Sequence, residues 1–303
     1  MIAHFEQATH GETTRGDRPL VVHTRSDLRA ARAAMTGSVA VVMTMGALHA
    51  GHVSLVAKAR GLADHVIVTV FVNPLQFGAG EDFDSYPRTL AADVEALSGK
   101  GVEVVFAPSA DEMYPGGPPQ VSVSAGPLGT ILEGAVRPGH FDGVLTVVAK
   151  LLNLTSPTHA IFGQKDAQQL VAIRTMVRDL AMPVSIEAAD IVRDPDGLAL
   201  SSRNAYLTPA QRDLGLRLPR SLEAARQAAA AGAAPSRIAR AARDVLAQGD
   251  RITVNYAVAR EPETLGEVPD DYVGPLRVLV AARVGETRLL DNELVQVNGA
   301  ARR

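Results

Sequence analysis

The chain is expected to fold as an α/β protein, a doubly wound parallel sheet followed by a smaller α+β domain. Three features of the sequence carry that expectation. Short apolar runs alternate with segments whose apolar residues recur every three or four positions. The runs over 39–43 and 66–72 are nearly continuous in apolar residues, as in parallel strands covered on both faces. Beyond about Val192 the texture changes to a long Ala- and Arg-rich stretch and then to strand-like runs around a Gly-Glu pair.

Taken in order, strands are expected over 39–43, 66–72, 102–106, 159–162 and 184–192. Helices are expected over 52–61, 90–99, 144–154 and 167–180. Val144, Val147, Val148, Leu151 and Leu152 share one face of the third helix. In the stretch 216–248, Leu218, Leu222 and Ala225 form a packing stripe, and Gly232 with Pro235 separates two helices. Strands over 253–258 and within 277–297 follow, with a hairpin turn at Gly285-Glu286. This reading divides the chain into a first domain over 1–191 and a small α+β domain over 192–303.

Composition narrows the partners. Thirty basic and 33 acidic residues give a net charge of −3, which offers no general attraction to nucleic acid. With 4% aromatics and no Trp, a base-stacking platform is also poorly supported. The absence of cysteine removes disulfides and thiolate metal sites and fits a reducing cytoplasm. The N-terminal segment MIAHFEQATHGETTRGDRPL lacks a signal-peptide core, and no later run reaches membrane-spanning length, so a soluble protein without membrane partners is expected.

The segment Met43-Thr44-Met45-Gly46-Ala47-Leu48-His49-Ala50-Gly51-His52 follows the first apolar run and opens a helix. It brings two histidines, three apart, to a helix N-terminus, where free N–H groups favour an anion; Gly46 and Gly51 allow close backbone approach. Open parallel sheets bind ligands beyond the carboxyl ends of their strands, near the point where strand order reverses. The other polar clusters fall at such ends: Asn73-Pro74-Leu75-Gln76-Phe77, then Gly163-Gln164-Lys165-Asp166-Ala167-Gln168-Gln169, then Val192 with Leu200-Ser201-Ser202-Arg203-Asn204.

Their chemistry suits a polyphosphate and a small polar substrate. Lys165 supplies a mobile charge, Arg203 a planar fork of donors, and Ser201 and Ser202 hydroxyls beside exposed backbone. Gln76 and Gln169 both donate and accept, which matches a substrate bearing hydroxyl and carboxylate groups. GxGxxG, GxxxxGK[ST] and HExxH are all absent, so the dinucleotide, P-loop and zincin readings lack their defining spacings. Nucleotidyl transfer is the reaction class that remains.

The runs TMGALHAGH, FVNPLQF, YPRT, LEGAVRPGHFDGV, FGQKDAQQL and DGLALSSRN, with RVLVAARVGETRLLDN near the end, resemble in order and spacing those of the pantothenate synthetase (pantoate–beta-alanine ligase) family. The resemblance implies a nucleotidylyltransferase-type Rossmann-like domain with a smaller C-terminal lid, a homodimer, and ATP and Mg²⁺ as requirements. It implies that pantoate and ATP give pantoyl adenylate and pyrophosphate, and that beta-alanine then displaces AMP. By motif, His49 and His52 would contact the ATP phosphates. Lys165, Ser201, Ser202 and Arg203 would hold the phosphate chain. Met45, Gly51, Gly163, Asp166, Val192 and Leu200 would shape the nucleotide site, and Gln76 and Gln169 would bind pantoate with Asn73 and Met45 nearby. Asp93 matches an acidic position linked to magnesium.

Five positions depart from the family pattern. Met43 replaces a usual proline, Ala50 and Ala92 replace frequently acidic residues, Gln164 replaces glutamate, and Ala167 replaces an aromatic. Two other readings compete. A different nucleotidyltransferase would lack a use for the Gln76 and Gln169 pair, and a non-catalytic nucleotide sensor would not need Lys165, His52 and the Ser-Ser-Arg run.

Overall fold

The computed structural model describes residues 18–249 and 251–298. The N-terminal segment read for a leader thus lies, through residue 17, outside the described residues. The first part of the chain runs β1 (Leu20–Val22), α1 (Arg25–Ala33), β2 (Val39–Thr44), α2 (Ala50–Leu62), β3 (His65–Val70), α3 (Leu90–Leu97), β4 (Val104–Phe106) and α4 (Ala110–Met113). It continues with α5 (Leu132–Val136), α6 (His140–Thr155), β5 (His159–Gly163), α7 (Ala167–Asp179) and β6 (Ser185–Ala189). These six strands pair in parallel in the order β1-β4-β3-β2-β5-β6.

The near-continuous apolar runs are explained by two cores, one on each face. Val39, Val41, Ile67, Val104 and Phe106 meet Leu28 of α1, Val144 and Leu151 of α6 and Ile173 of α7. The alternate residues Ala40, Val42, Val66, Val68, Val105 and Ile161 meet Leu55, Val56 and Ala59 of α2 and Val94 and Leu97 of α3. A strand feeding two cores has no polar face, so its sequence does not alternate.

Strand order reverses at β2. The chain moves through β3 to β4 on one side, then crosses to the other side for β5 and β6. The loops after β2 and β5 therefore diverge from neighbouring strands and open a cleft between them.

Two differences from expectation have simple causes. β1 was not expected because three residues carry no readable period; its identity comes from pairing Leu20 to Val22 against Val104 to Phe106. The strand expected over 184–192 stops at Ala189, and the next residues turn into the cleft.

The remainder comprises α8 (Pro209–Gly215), α9 (Arg217–Ala230), α10 (Pro235–Leu246) and the strands β7 (Ile252–Arg260), β8 (Gly274–Val284) and β9 (Thr287–Val297). The strands form an antiparallel sheet in the order β7-β8-β9. The expected stripe Leu218, Leu222 and Ala225 is buried against that sheet beside Ile238, Leu276 and Val280. Pro235 starts α10, where its missing N–H costs no helical bond. Gly285 has φ +58° as the first central residue of the β8–β9 hairpin, a backbone region that an L side chain resists. Among the described residues, no helix is long and apolar enough to cross a membrane.

Candidate active site

A cleft of about 1440 Å³, open to solvent, lies at the switch between β2 and β5. It is lined by Met45, His49, Gly51, His52, Asn73, Gln76, Gly163, Lys165, Asp166, Gln169, Val192, Leu200, Ser201, Ser202 and Arg203. The structure thus brings together every site residue expected from the sequence except Asp93.

His49 is the N-cap of α2 and His52 its third residue, and the two caps are reciprocal. The Gly51 N–H donates to His49 Nδ1 at 3.1 Å, and the His49 N–H donates to His52 Nδ1 at 3.3 Å. Both Nδ1 atoms accept, so in the neutral rings the proton sits on Nε2. Burial first, and then the neighbouring His49, lowers the His52 pKa to about 3. Burial and then Lys165 lower that of His49. The ring centroids are 4.1 Å apart.

This modifies one expectation. The Gly51 N–H, expected to be free for an anion, is satisfied by His49, so the imidazole Nε2–H groups are the donors this corner presents. Gly51 also has a different use from the one expected: a Cβ there would lie 2.9 Å from the His49 ring. Its missing side chain makes room for the histidine.

Asp93, matched by motif to a magnesium-linked position, is 2% exposed and lies outside the cleft lining. Oδ1 accepts from the Leu48 N–H at 2.8 Å, Oδ2 from the Ala47 N–H at 3.2 Å, and both from the Thr89 hydroxyl at 3.3 Å. A buried carboxylate needs such donors. Asp93 holds the positive-φ turn at Gly46 and Ala47 that delivers the histidines.

In the same cleft, Gln76 closes a single turn of tight helix, Pro74–Gln76, started by Asn73. Asn73 is 1% exposed and fully committed: it donates to Gly143 O at 3.1 Å and Gln76 Oε1 at 3.2 Å, and accepts from the Tyr114 hydroxyl at 2.9 Å. It is therefore a support for Gln76. The Gln76 amide nitrogen lies 3.1 Å from Met45 Sδ, a weak acceptor. Gln169 lines the same cleft from the first turn of α7. Phe71, Val144, Val147 and Val148 add an apolar part to the same lining.

Lys165 follows β5 in a tight turn, its ammonium 3.7 Å from Asp166. Asn292 of β9 donates to the carbonyls of Gln164 and Lys165, both at 2.9 Å, so the smaller sheet fixes this turn. Gln164, where the family usually has glutamate, donates to Asp190 at 3.1 Å; a carboxylate could not. Beyond β6 the chain doubles back through an Arg193 to Ala199 bridge and brings Ser201 to Arg203 over the cleft.

These last residues already have partners. Ser201 Oγ caps the following turn, Ser202 Oγ lies 3.1 Å from the Tyr86 hydroxyl, and Arg203 makes a forked pair with Asp82 at 3.0 and 2.8 Å. Phe77, Tyr86, Arg137 and His140 also line the cleft, and neither they nor Glu81 and Asp82 were singled out from sequence. The Arg137-x-x-His140 spacing beside Gly139 was the available signal. Glu81 and Asp82 look like an ordinary polar loop until their partners, 56 and 121 residues away, are known.

The pantoate-beta-alanine ligase family model matches residues 20–294. The chain belongs to the pantoate–beta-alanine ligase family. Other members of that family include a pantothenate synthetase of Acidothermus cellulolyticus, 54% identical over 298 residues that cover 96% of this chain and 98% of the relative. The structure is similar to the crystal structure of the pantothenate synthetase from Thermus thermophilus, with a TM-score of 0.85 and 47% identity over 90% of this chain and 98% of that one. It is also similar to a pantoate–beta-alanine ligase from Francisella tularensis, complexed with beta-gamma ATP and beta-alanine, with a TM-score of 0.75 and 31% identity over 91% and 97% of the two chains.

Proposed function

We propose that the chain condenses pantoate with beta-alanine to pantothenate, using ATP and passing through pantoyl adenylate, with pyrophosphate and AMP released. The observation that carries this reading is a cleft that gathers two sets of groups. Two neutral histidines, Lys165 and the Ser201–Ser202–Arg203 run supply donors for phosphates, and the amides Gln76 and Gln169 share the same lining with the apolar Phe71, Val144, Val147 and Val148. Pantoate has a carboxylate and two hydroxyls around a carbon bearing two methyl groups; the amides suit the oxygens and Phe71, Val144 and Val147 suit the methyls.

The first step joins a pantoate carboxylate oxygen to the α-phosphorus of ATP and breaks the bond to pyrophosphate. A carboxylate with a reference pKa of about 4 is already ionised at neutral pH, so no base is needed. Charge grows on the phosphate oxygens, and donors fixed in advance stabilise it: His49 and His52 through Nε2–H, Lys165 as a point charge, and Ser201, Ser202 and Arg203 along the phosphate chain. Asp82 occupies the Arg203 fork as a phosphate would, and holds it in shape for the exchange. Gly51, Gly163, Asp166, Val192, Leu200 and Met45 form the nucleotide's surroundings. In the second step the amine of beta-alanine attacks the acyl carbon and AMP leaves.

Among the described residues no three carboxylate or histidine groups are gathered as a metal cage, and the carboxylates that line the cleft are Asp166, 3.7 Å from the Lys165 ammonium, and Asp190, which accepts from Gln164. Magnesium enters this reading as part of the MgATP substrate, held chiefly by the phosphates, with Asp166 and Asp190 as the carboxylates of the cleft that could meet it. We further place the nucleotide and pantoate sites in a domain over 1–191, with 192–303 as lid, and read the enzyme as a cytoplasmic homodimer. An apolar groove lined by Val123, Leu128, Ile131 and Met176 supports self-association.

The test is AMP formation with each substrate withheld in turn. Sustained AMP release should require both pantoate and beta-alanine, and without the amine it should stop near one equivalent of pyrophosphate per site. ADP as product, or turnover independent of pantoate, contradicts the reading.

A further inference from the structure

Two side chains meet at the backbone carbonyl of Gln76. His140 Nδ1 lies 2.8 Å from it and Arg137 Nη2 3.2 Å. Arg137 Nη1 lies 3.0 Å from His140 Nε2. A guanidinium has only protons to give, so Nε2 is the acceptor and the ring proton sits on Nδ1, donating to Gln76. Burial first, and then Arg137, lowers the His140 pKa to about 4, which keeps the ring in this neutral form at neutral pH. On its other edge Arg137 is gripped by Glu81, Nε to Oε1 at 2.7 Å and Nη2 to Oε2 at 2.5 Å. Every nitrogen of the guanidinium is engaged within the protein. Although Arg137 lines the cleft, it is a cross-link between segments and not a free cation awaiting an anion.

Gln76 is thus held from two directions. Asn73 fixes its side-chain oxygen, while His140 and Arg137 fix its main chain, leaving the amide N–H₂ beside Met45 as its exchangeable group. We infer that His140 and Arg137, braced by Glu81, are positioning residues that set the Gln76 amide for pantoate; this rests on the pantoate reading of Gln76. A glutamine left free at this point samples other rotamers, and the ordering is then paid at binding.

The test is a double-mutant cycle read on substrate requirements. His140→Ala should raise the pantoate KM about tenfold, the scale of one hydrogen bond, and leave the ATP KM within about twofold. His140→Asn, which keeps an N–H near the former Nδ1, should recover most of the loss. Glu81→Gln, changed at the outer end of the chain of contacts, should raise the pantoate KM by roughly threefold, in keeping with a brace that acts indirectly. In a Gln76→Ala background none of these changes should add to the pantoate requirement. Should His140→Ala fail to fold by thermal melting, the Asn and Glu81→Gln cycles carry the same comparison. Losses that multiply in the double variants, with a normal Gln76→Ala effect, overturn the inference and leave the pantoate reading standing. Gln76→Ala without effect on pantoate overturns both.

Discussion

A histidine that accepts at Nδ1 has one proton left to give, and in His49 and His52 it is on Nε2. His52, with a pKa of about 3, is neutral at any working pH and acts as a hydrogen-bond donor, not as a cation. His49→Ala and His52→Ala should therefore slow pantoate-dependent pyrophosphate release, in a single turnover without beta-alanine, by roughly 100-fold or more. Attack of the amine on preformed pantoyl adenylate should slow much less. Variants that form adenylate normally and fail only when the amine is added would make the histidines bases for the second step. Lys165→Ala should likewise depress adenylation itself, because a charge aimed at the reacting phosphates acts most in the transition state; an effect confined to the pantoate KM would contradict that role. The pair was legible from sequence because two histidines bracketing a glycine after a buried strand are an unusual arrangement. The duties of Gly51 and Asp93 were not, since spacing does not reveal that one clears space for a ring and the other anchors a turn.

The turn 74–76 and α6 pack without a side chain between them at Gly143. A Cβ there would come within 2.2 Å of Leu75 O and 2.8 Å of Gln76 N, both backbone atoms that cannot step aside alone. Gly143→Ala should destabilise the fold by about 1–3 kcal/mol, the range for overpacking, and raise the pantoate requirement as well. Urea unfolding and steady-state kinetics measure the two effects, and an unchanged midpoint with an unchanged pantoate KM would refute the close packing. Elements with long, regular apolar periods were readable in advance. The α6 stripe from Val144 to Leu152 and the α9 stripe at Leu218, Leu222 and Ala225 are buried as expected. β1 was not readable, because its strand character comes entirely from a partner more than 80 residues away.

Across the whole molecule, the two sheets are joined by polar fastenings that no local pattern announces. Glu133 takes both Arg288 and the Tyr256 hydroxyl, and Asn292 supports the Lys165 turn. Each joins residues more than a hundred apart in sequence, so the smaller sheet's grip on the site became visible only in three dimensions. The buried histidines also give the fold a pH dependence. His52 and His140 have folded-state pKa values of about 3 and 4 against 6.5 for an exposed ring. Between pH 6.5 and about 4 the unfolded chain binds protons that the folded chain refuses, so stability is whole above about 6.5 and falls as pH drops through that window. The urea midpoint should decrease from pH 7.5 to pH 5, and less so in His140→Asn; a midpoint that holds or rises over that interval would contradict burial of neutral rings. Activation of the pantoate carboxylate at the α-phosphorus is the claim on which every assigned role depends, and it has a direct isotopic signature. With heavy oxygen in the pantoate carboxylate, one labelled oxygen bridges to the α-phosphorus in the adenylate and leaves with AMP when the amine attacks. The account predicts labelled AMP; unlabelled AMP, or ADP with labelled inorganic phosphate, would contradict it.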